Sequence, residues 1–315
     1  MEKCATNLFG LECQSPTILA SGILGTTPSG LQEAAEAGAG AVTTKSLGLT
    51  PRQGHPTPSI VQVKGGYLNA MGLPNPGVEY YKEELAKTEI DVPIIGSIYG
   101  GNEEEFVEVA EIIAPEVDTV ELNLSCPHAE ELGATIGAVP QLVEDITSAV
   151  KSHVDLPVIA KLTPNVADIT KIGLAAQRGG ADGVVAINTL RGMAIDIETK
   201  MPILGNRAGG LSGEAIHPVA VKAIFDLYQE LSIPIIGAGG VSFGDDLVEF
   251  LLAGASGVEI GTAIANEGLD VFSELNDFLV RYLEDHDLTM SEIIGEAHNV
   301  EPEYEDPISD FPTTL

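Results

Sequence analysis

The sequence predicts a (β/α)8 barrel with loop insertions at the C-terminal face of its strands, and three observations carry that reading. Short apolar runs alternate along the chain with stretches whose apolar residues recur at helical spacing, the pattern of an α/β fold. The runs number about eight, the strand count of one closed barrel, and both faces of each are apolar, as in a parallel sheet. They also repeat in kind. A Gly/Ala turn feeds a β-branched strand in AGAGAVTTK (Ala37 to Lys45), GGADGVVAIN (Gly179 to Asn188) and AGASGVEIG (Ala253 to Gly261). A turn residue and Pro precede the strand in DVPIIGS (Asp91 to Ser97), DLPVIAK (Asp155 to Lys161) and SIPIIGAGG (Ser232 to Gly240). Proline at the first residue of a strand removes no ladder bond.

In chain order, PTILAS (Pro16 to Ser21) opens the barrel, AGAGAVTTK and DVPIIGS follow, and VDTVELN (Val117 to Asn123) is the fourth run. DLPVIAK, GGADGVVAIN, SIPIIGAGG and AGASGVEIG complete the set. Helical spacing places helices over Gly30 to Ala37, Val78 to Lys87, Glu103 to Ile113 and Gln141 to Lys151. Four more are expected over Ala167 to Gln177, Pro218 to Glu230, Gly244 to Leu252 and Val271 to Asp285. Arg52 to Gly77 and Leu190 to Gly213 are too long and too rich in Pro and Gly for plain βα loops, so both read as insertions on the face where barrels keep their chemistry. The expected organisation is one barrel domain over 1–285 and an acidic C-terminal tail over 286–315.

Composition narrows the function. The 315 residues are 44% hydrophobic, enough for a sizeable core, and 15 Lys and Arg face 47 Asp and Glu, a formal net charge of −32. Such a chain is expected to bind no nucleic acid, and an acidic solvated shell implies either a high-salt cytoplasm or a basic docking partner. The three cysteines, Cys4, Cys13 and Cys126, sit in no metal-ligand pattern and build neither a disulfide framework nor an iron–sulfur cluster. No signal peptide is evident, and no run approaches the ~20 apolar residues of a membrane span, so the expected location is the cytoplasm.

In a barrel the C-terminal strand ends point into the active site. The polar residues there are Ser21, Lys45, Ser97, Asn123, Lys161, Asn188, Gly239 with Gly240, and Gly261 with Thr262. Two of the ten lysines end buried runs, which implies an anionic or polar partner for each, although a lysine can also snorkel to the rim. The last two runs end in AGG and IGT, where this fold habitually cradles phosphate on close-approach glycines and backbone N–H groups. Cys126 stands three residues beyond Asn123 in NLSCPHAEE, as either a small buried hydrophobe or an acid/base or nucleophilic thiol; its loop-face position favours the latter. Cys4 and Cys13 precede the barrel and read as structural.

Several ordered motifs together resemble a class 1 dihydroorotate dehydrogenase over about Asn7 to Leu283: TKS (Thr44 to Ser46), NAMGLPNPG (Asn69 to Gly77), NLSCP (Asn123 to Pro127), NTLRGMAID (Asn188 to Asp196), GGLSG (Gly209 to Gly213), GAGGV (Gly237 to Val241) and IGTA (Ile260 to Ala263). The segment NTLRGMAIDIETKMPILGNRAGGLSG is similar to the NAD-linked B type. The resemblance implies FMN, lined by Ser21, Lys45, Ser46, Asn123, Lys161, Ile187, Gly213, Gly239, Gly240, Gly261 and Thr262, with Ser97 where many B-type chains carry Asn. It implies a dihydroorotate site built from Lys45, Asn69, Ala70, Met71, Gly72, Leu73, Asn123, His128, Asn188 and Thr189, with Cys126 as general base and hydride passing to the flavin. It further implies a homodimer within a heterotetramer, whose partner subunit carries FAD and an iron–sulfur cluster and passes electrons to NAD. His128 departs from the family's Asn, and CPH is also similar to the pyrimidine-reducing domain of dihydropyrimidine dehydrogenases, so a uracil or thymine reductase is the alternative. A flavin-free aldolase using Lys161 as a Schiff-base lysine and a substrate-free electron carrier are more distant readings. Tyr99, in IYGGNEEE, reads as the cap of a helix start rather than a flavin contact.

Overall fold

The computed structural model describes residues 2–125 and 136–299. Eight parallel strands close into a barrel in sequential order: β1 (Thr17–Leu19), β2 (Ala41–Thr43), β3 (Ile94–Ile98), β4 (Thr119–Asn123), β5 (Val158–Leu162), β6 (Gly183–Ala186), β7 (Ile235–Ala238) and β8 (Ala255–Ile260). β8 closes on β1 with Glu259 opposite Ile18. Almost every strand residue is buried, which is why the runs read as continuously apolar rather than alternating.

The outer layer comprises α1 (Pro28–Glu36), α2 (Val78–Leu85), α3 (Glu103–Ile113), α4 (Pro140–Lys151), α5 (Ile169–Arg178), α6 (His217–Glu230), α7 (Gly244–Ala253), α8 (Thr262–Glu267) and α9 (Val271–Asp285). The starts of α1 and α4 fall on a proline, since its fixed φ suits the first turn and its missing N–H is no loss there. α5 begins two residues later than the periodicity suggests because the Asp168 carboxylate accepts from the Thr170 N–H and caps it. The short α8 carries no helical period long enough to register in the sequence. Tyr99 does not cap α3: Asn102 does so, its side-chain oxygen accepting from the Glu105 N–H at 2.9 Å.

The barrel has two apolar layers. Buried helix faces pack on the outside of the strands, while inside, Ile18, Ala41, Ile95, Ile159, Val185 and Ile236 fill the lower barrel. The hairpin Thr6–Leu8/Leu11–Cys13 plugs that end, adding Leu8 and Cys13 to the interior cluster. A Cβ on Gly183 would stand 2.2 Å from the Phe9 ring, so a glycine is what lets the plug seat.

The two insertions are not independent loops. Ile60–Val63, Gly66–Asn69, Gly209–Ser212 and Leu190–Gly192 form one antiparallel sheet over the strand ends, in the spatial order 190–192, 209–212, 66–69, 60–63. Gly66 permits the union, because a Cβ there would lie 1.8 Å from the Ser212 carbonyl oxygen. Beyond α9, the chain forms α10 (Met290–Ile293), with Met290 and Ile293 buried, and the His298 ring stacks on Phe225 of α6 at 3.9 Å. Among the described residues no helix is long and apolar enough to cross a membrane.

Candidate active site

A cavity of about 590 Å³ opens at the C-terminal ends of the strands, roofed by the inserted sheet. That volume suits one cofactor-sized ligand. The strand-end residues Ser21, Lys45, Ser46, Asn123 and Lys161 line it, as do Ile187, Asn188 and Thr189 after β6. Gly213, Gly239, Gly240, Gly261 and Thr262 form another part of the wall, and Asn69, Ala70, Met71, Gly72 and Leu73 enter from the roof. Ser97 does not reach the cavity. Its side chain is fully buried against Ser46, with hydroxyl oxygens 2.9 Å apart, and Ser46 is the one of the two that lines the cavity. Cys126 and His128 lie outside the described residues.

Hydrogen bonds organise the polar wall. The Ser46 hydroxyl lies 3.1 Å from that of Ser21 and accepts from the Asn123 amide at 3.0 Å, which orients Asn123 across the strand ends. The Asn188 amide donates to the Ser125 hydroxyl at 2.9 Å, and the Thr189 N–H donates to the Asn188 side-chain oxygen at 2.7 Å. Ser125 is a cavity residue that sequence reasoning missed, although its place beside Cys126 in NLSCP was the available signal. Asn75 was missed too. Its amide donates to the Leu73 carbonyl at 3.0 Å and the Tyr99 hydroxyl at 2.9 Å, and its oxygen accepts from the Gly77 N–H, so Asn75 and Tyr99 anchor the NAMGLPN loop.

The glycines make a backbone cradle. Gly213, Gly239 and Gly240 have φ of +100°, +133° and +81°, a region L side chains rarely adopt. A Cβ on Gly240 would stand 2.7 Å from the Gly213 carbonyl oxygen, so the two segments approach as only glycines can. Thr262 joins them, donating its hydroxyl proton to Ser212 at 2.9 Å.

Two buried cations serve the same cavity in different ways. Lys45 has no ion pair among the described residues, and burial pushes its ammonium below the usual lysine range. Lys161 on β5 faces Glu259 of β8, with which it is directly hydrogen-bonded, and Glu121 of β4 at 3.5 Å. Burial pushes Lys161 down, but the two carboxyl groups outweigh it and hold the ammonium above its ordinary range. Period-two alternation explains the placement: Ile159 belongs to the apolar interior, so Lys161, two residues on, also points inward. An unpaired buried cation, a glycine cradle and amide-bearing walls fit a phosphate-bearing flavin together with a small polar, anionic ring.

Cys4 and Cys13 are buried thiols outside this site, both raised by burial, Cys13 to about 11. Iodoacetamide at about pH 8 is expected to leave both unlabelled in the folded protein and to label both after unfolding, read by peptide mass mapping. Labelling of Cys13 in the folded state would contradict its place in the barrel plug.

The family model described as Dihydroorotate dehydrogenase matches residues 3–283. A protein of Methanocaldococcus jannaschii named "Dihydroorotate dehydrogenase B (NAD(+)), catalytic subunit" is 54% identical over 298 residues, covering 93% of this chain and 97% of the relative. Proteins with the same name from Methanosarcina acetivorans and Pyrococcus furiosus are 54% and 52% identical, each covering 93% of this chain and 96% and 98% of their own lengths.

Proposed function

This chain belongs to the dihydroorotate dehydrogenase family, and from that premise we propose that it oxidises dihydroorotate to orotate on bound FMN, in pyrimidine biosynthesis in the cytoplasm. The observation that carries the reading is the convergence on one cavity of two buried lysines, the asparagines 69, 123 and 188, and the glycine cradle. When bound, the flavin supplies the hydride acceptor.

The residues would divide the work as follows. Gly213, Gly239, Gly240, Gly261 and Thr262 hold the phosphate through close backbone approach. Asn69, Asn123 and Asn188 each offer a donor and an acceptor to the imide edge of the pyrimidine, and Thr189 and the loop from Ala70 to Leu73 enclose it. Lys45 supplies positive charge on the substrate side, and Lys161 supplies it toward the flavin's pyrimidine end; Ser21 and Ser46 complete the flavin contacts, with Ser97 acting through Ser46. Cys126 takes the proton from the ring carbon beside the carbonyl. A separate subunit carrying FAD and an iron–sulfur cluster would supply the route for electrons to NAD, with the catalytic chain as a homodimer within a heterotetramer. That assignment is supported by the relatives' name, catalytic subunit, and by the Cys count of three, too few to bind a cluster in the Cys4 manner.

A Schiff-base aldolase needs Lys161 as a neutral amine, and a lysine held cationic by two carboxyl groups is a poor nucleophile. His128 in CPH keeps a second reading, a uracil or thymine reductase, within the test. Anaerobic titration of the FMN-loaded protein is expected to bleach the flavin with dihydroorotate and leave it oxidised with dihydrouracil. Bleaching by dihydrouracil alone would move the chain to the reductase reading, and a protein that cannot take up FMN would remove both.

A further inference from the structure

Three titratable side chains lie on the eight barrel strands, and all three meet. Glu121 of β4, Lys161 of β5 and Glu259 of β8 are buried at the cavity floor, where Lys161 and Glu259 line the cavity and Glu121 lies behind them. The other five strands read TIL, AVT, IIGSI, GVVA and IIGA and bring no titratable group against them. Lys45, His55 and Tyr67 are the remaining titratable groups lining the cavity above, among the described residues. Lys161 satisfies one oxygen of Glu259, but the other oxygen of Glu259 and both oxygens of Glu121 have no hydrogen-bond partner among the described residues.

Fully ionised, the cluster would hold one cation and two anions, leaving one uncompensated negative charge in a dry interior. Removing an ion from water is costly, and a single proton on one carboxyl would relieve that cost. We propose that Glu121 and Glu259 share one proton, so that the cluster with Lys161 is electrically neutral, and that Glu259 is a positioning residue holding the Lys161 ammonium at the cavity floor. Burial raises the Glu259 carboxyl against the pull of Lys161, and Glu121 raises it further, as a shared proton requires. The consequence for catalysis rests on the flavin reading above. A neutral cluster presents the Lys161 charge to the flavin without the net negative charge that would oppose electron uptake.

The test is infrared difference spectroscopy of the full-length protein at neutral pH in H2O and D2O, without and with FMN. Wild type is expected to show one deuterium-sensitive carboxylic-acid C=O band. Glu259→Gln and Glu121→Gln should each abolish it, because one carboxyl then faces one ammonium, whereas Lys161→Leu should double it. Absence of the band in wild type, or its survival in both Gln variants, would overturn the shared proton; should neither variant fold, the wild-type spectrum and its pH titration decide. A second arm measures the midpoint potential of bound FMN against pH. Wild type should fall more steeply with rising pH than Glu259→Gln, since only wild type acquires a negative charge as the pair ionises; parallel curves would remove the link to the flavin. A protein that shows the band yet never takes up FMN would leave the proton pair standing and defeat the flavin reading instead.

Discussion

Cys126→Ser is expected to slow the anaerobic reduction of bound FMN by dihydroorotate by about 10²- to 10⁴-fold, the range a positioned general base contributes. The FMN content should match wild type, because the cradle at Gly213, Gly239 and Gly240 and the cations Lys45 and Lys161 are untouched by the change. A thiol with an ordinary pKa of about 8.5 ionises in mildly alkaline solution, whereas a serine hydroxyl does not. The wild-type rate should therefore rise with pH through the thiol ionisation, and the serine variant should lose that limb. Stopped-flow spectra of flavin bleaching read both. Equal rates in the two proteins would remove Cys126 as the base.

Lys161→Leu is expected to produce the largest loss of stability, about 3–5 kcal/mol near pH 8, the cost of breaking a buried charge pair. The leucine is apolar and two atoms shorter, and it leaves Glu121 and Glu259 as two buried carboxyls without their cation, so the pH dependence of the loss reports on them. Its pH dependence has a definite sign. Burial already raises the Glu259 carboxyl, and Lys161 is what pulls it down, so removing the cation raises it again. A carboxyl whose folded pKa exceeds the unfolded value of about 4.3 favours the folded state fully below that value and loses the benefit as pH rises through the folded pKa. Wild-type Lys161 is held above its ordinary range and stays charged throughout this window. The gap between wild type and Lys161→Leu should thus be small near pH 5 and widen toward pH 8, read from urea midpoints. A gap that does not change with pH would mean the carboxyls are not left uncompensated.

Much of the architecture was legible because the signals are local. A strand buried on both faces reads as an apolar run, and each of the eight runs overlaps a barrel strand, which in the third and fifth extends one residue past the C-terminal end of the run. A helix on the outer layer repeats its apolar residues with the helical period, so α2 to α7 and α9 lie within a few residues of their expected bounds. The polar residues that end those runs are therefore legible as cavity residues, since the strand direction aims them all at one face. Ser97 is the instructive exception: it ends its run as the others do, but whether such a side chain enters the cavity or stops against a neighbour depends on the adjoining segment, here on Ser46 just beyond β2.

Periodicity and strand ends specify a barrel and a polar, phosphate-fitting mouth, because both depend on neighbours within a few residues. What the folded chain alone decides are the pairings at long range. Lys161 and Glu259 are 98 positions apart, and no pattern around either residue names the other; barrel closure sets both against Glu121. The insertions around Gly66 and Ser212 read separately as long Pro/Gly-rich loops, yet they form one sheet because each supplies the strand edge that the other lacks. Hydrogen bonds between edges and charges across a barrel depend on three-dimensional proximity, which a one-dimensional spacing does not record.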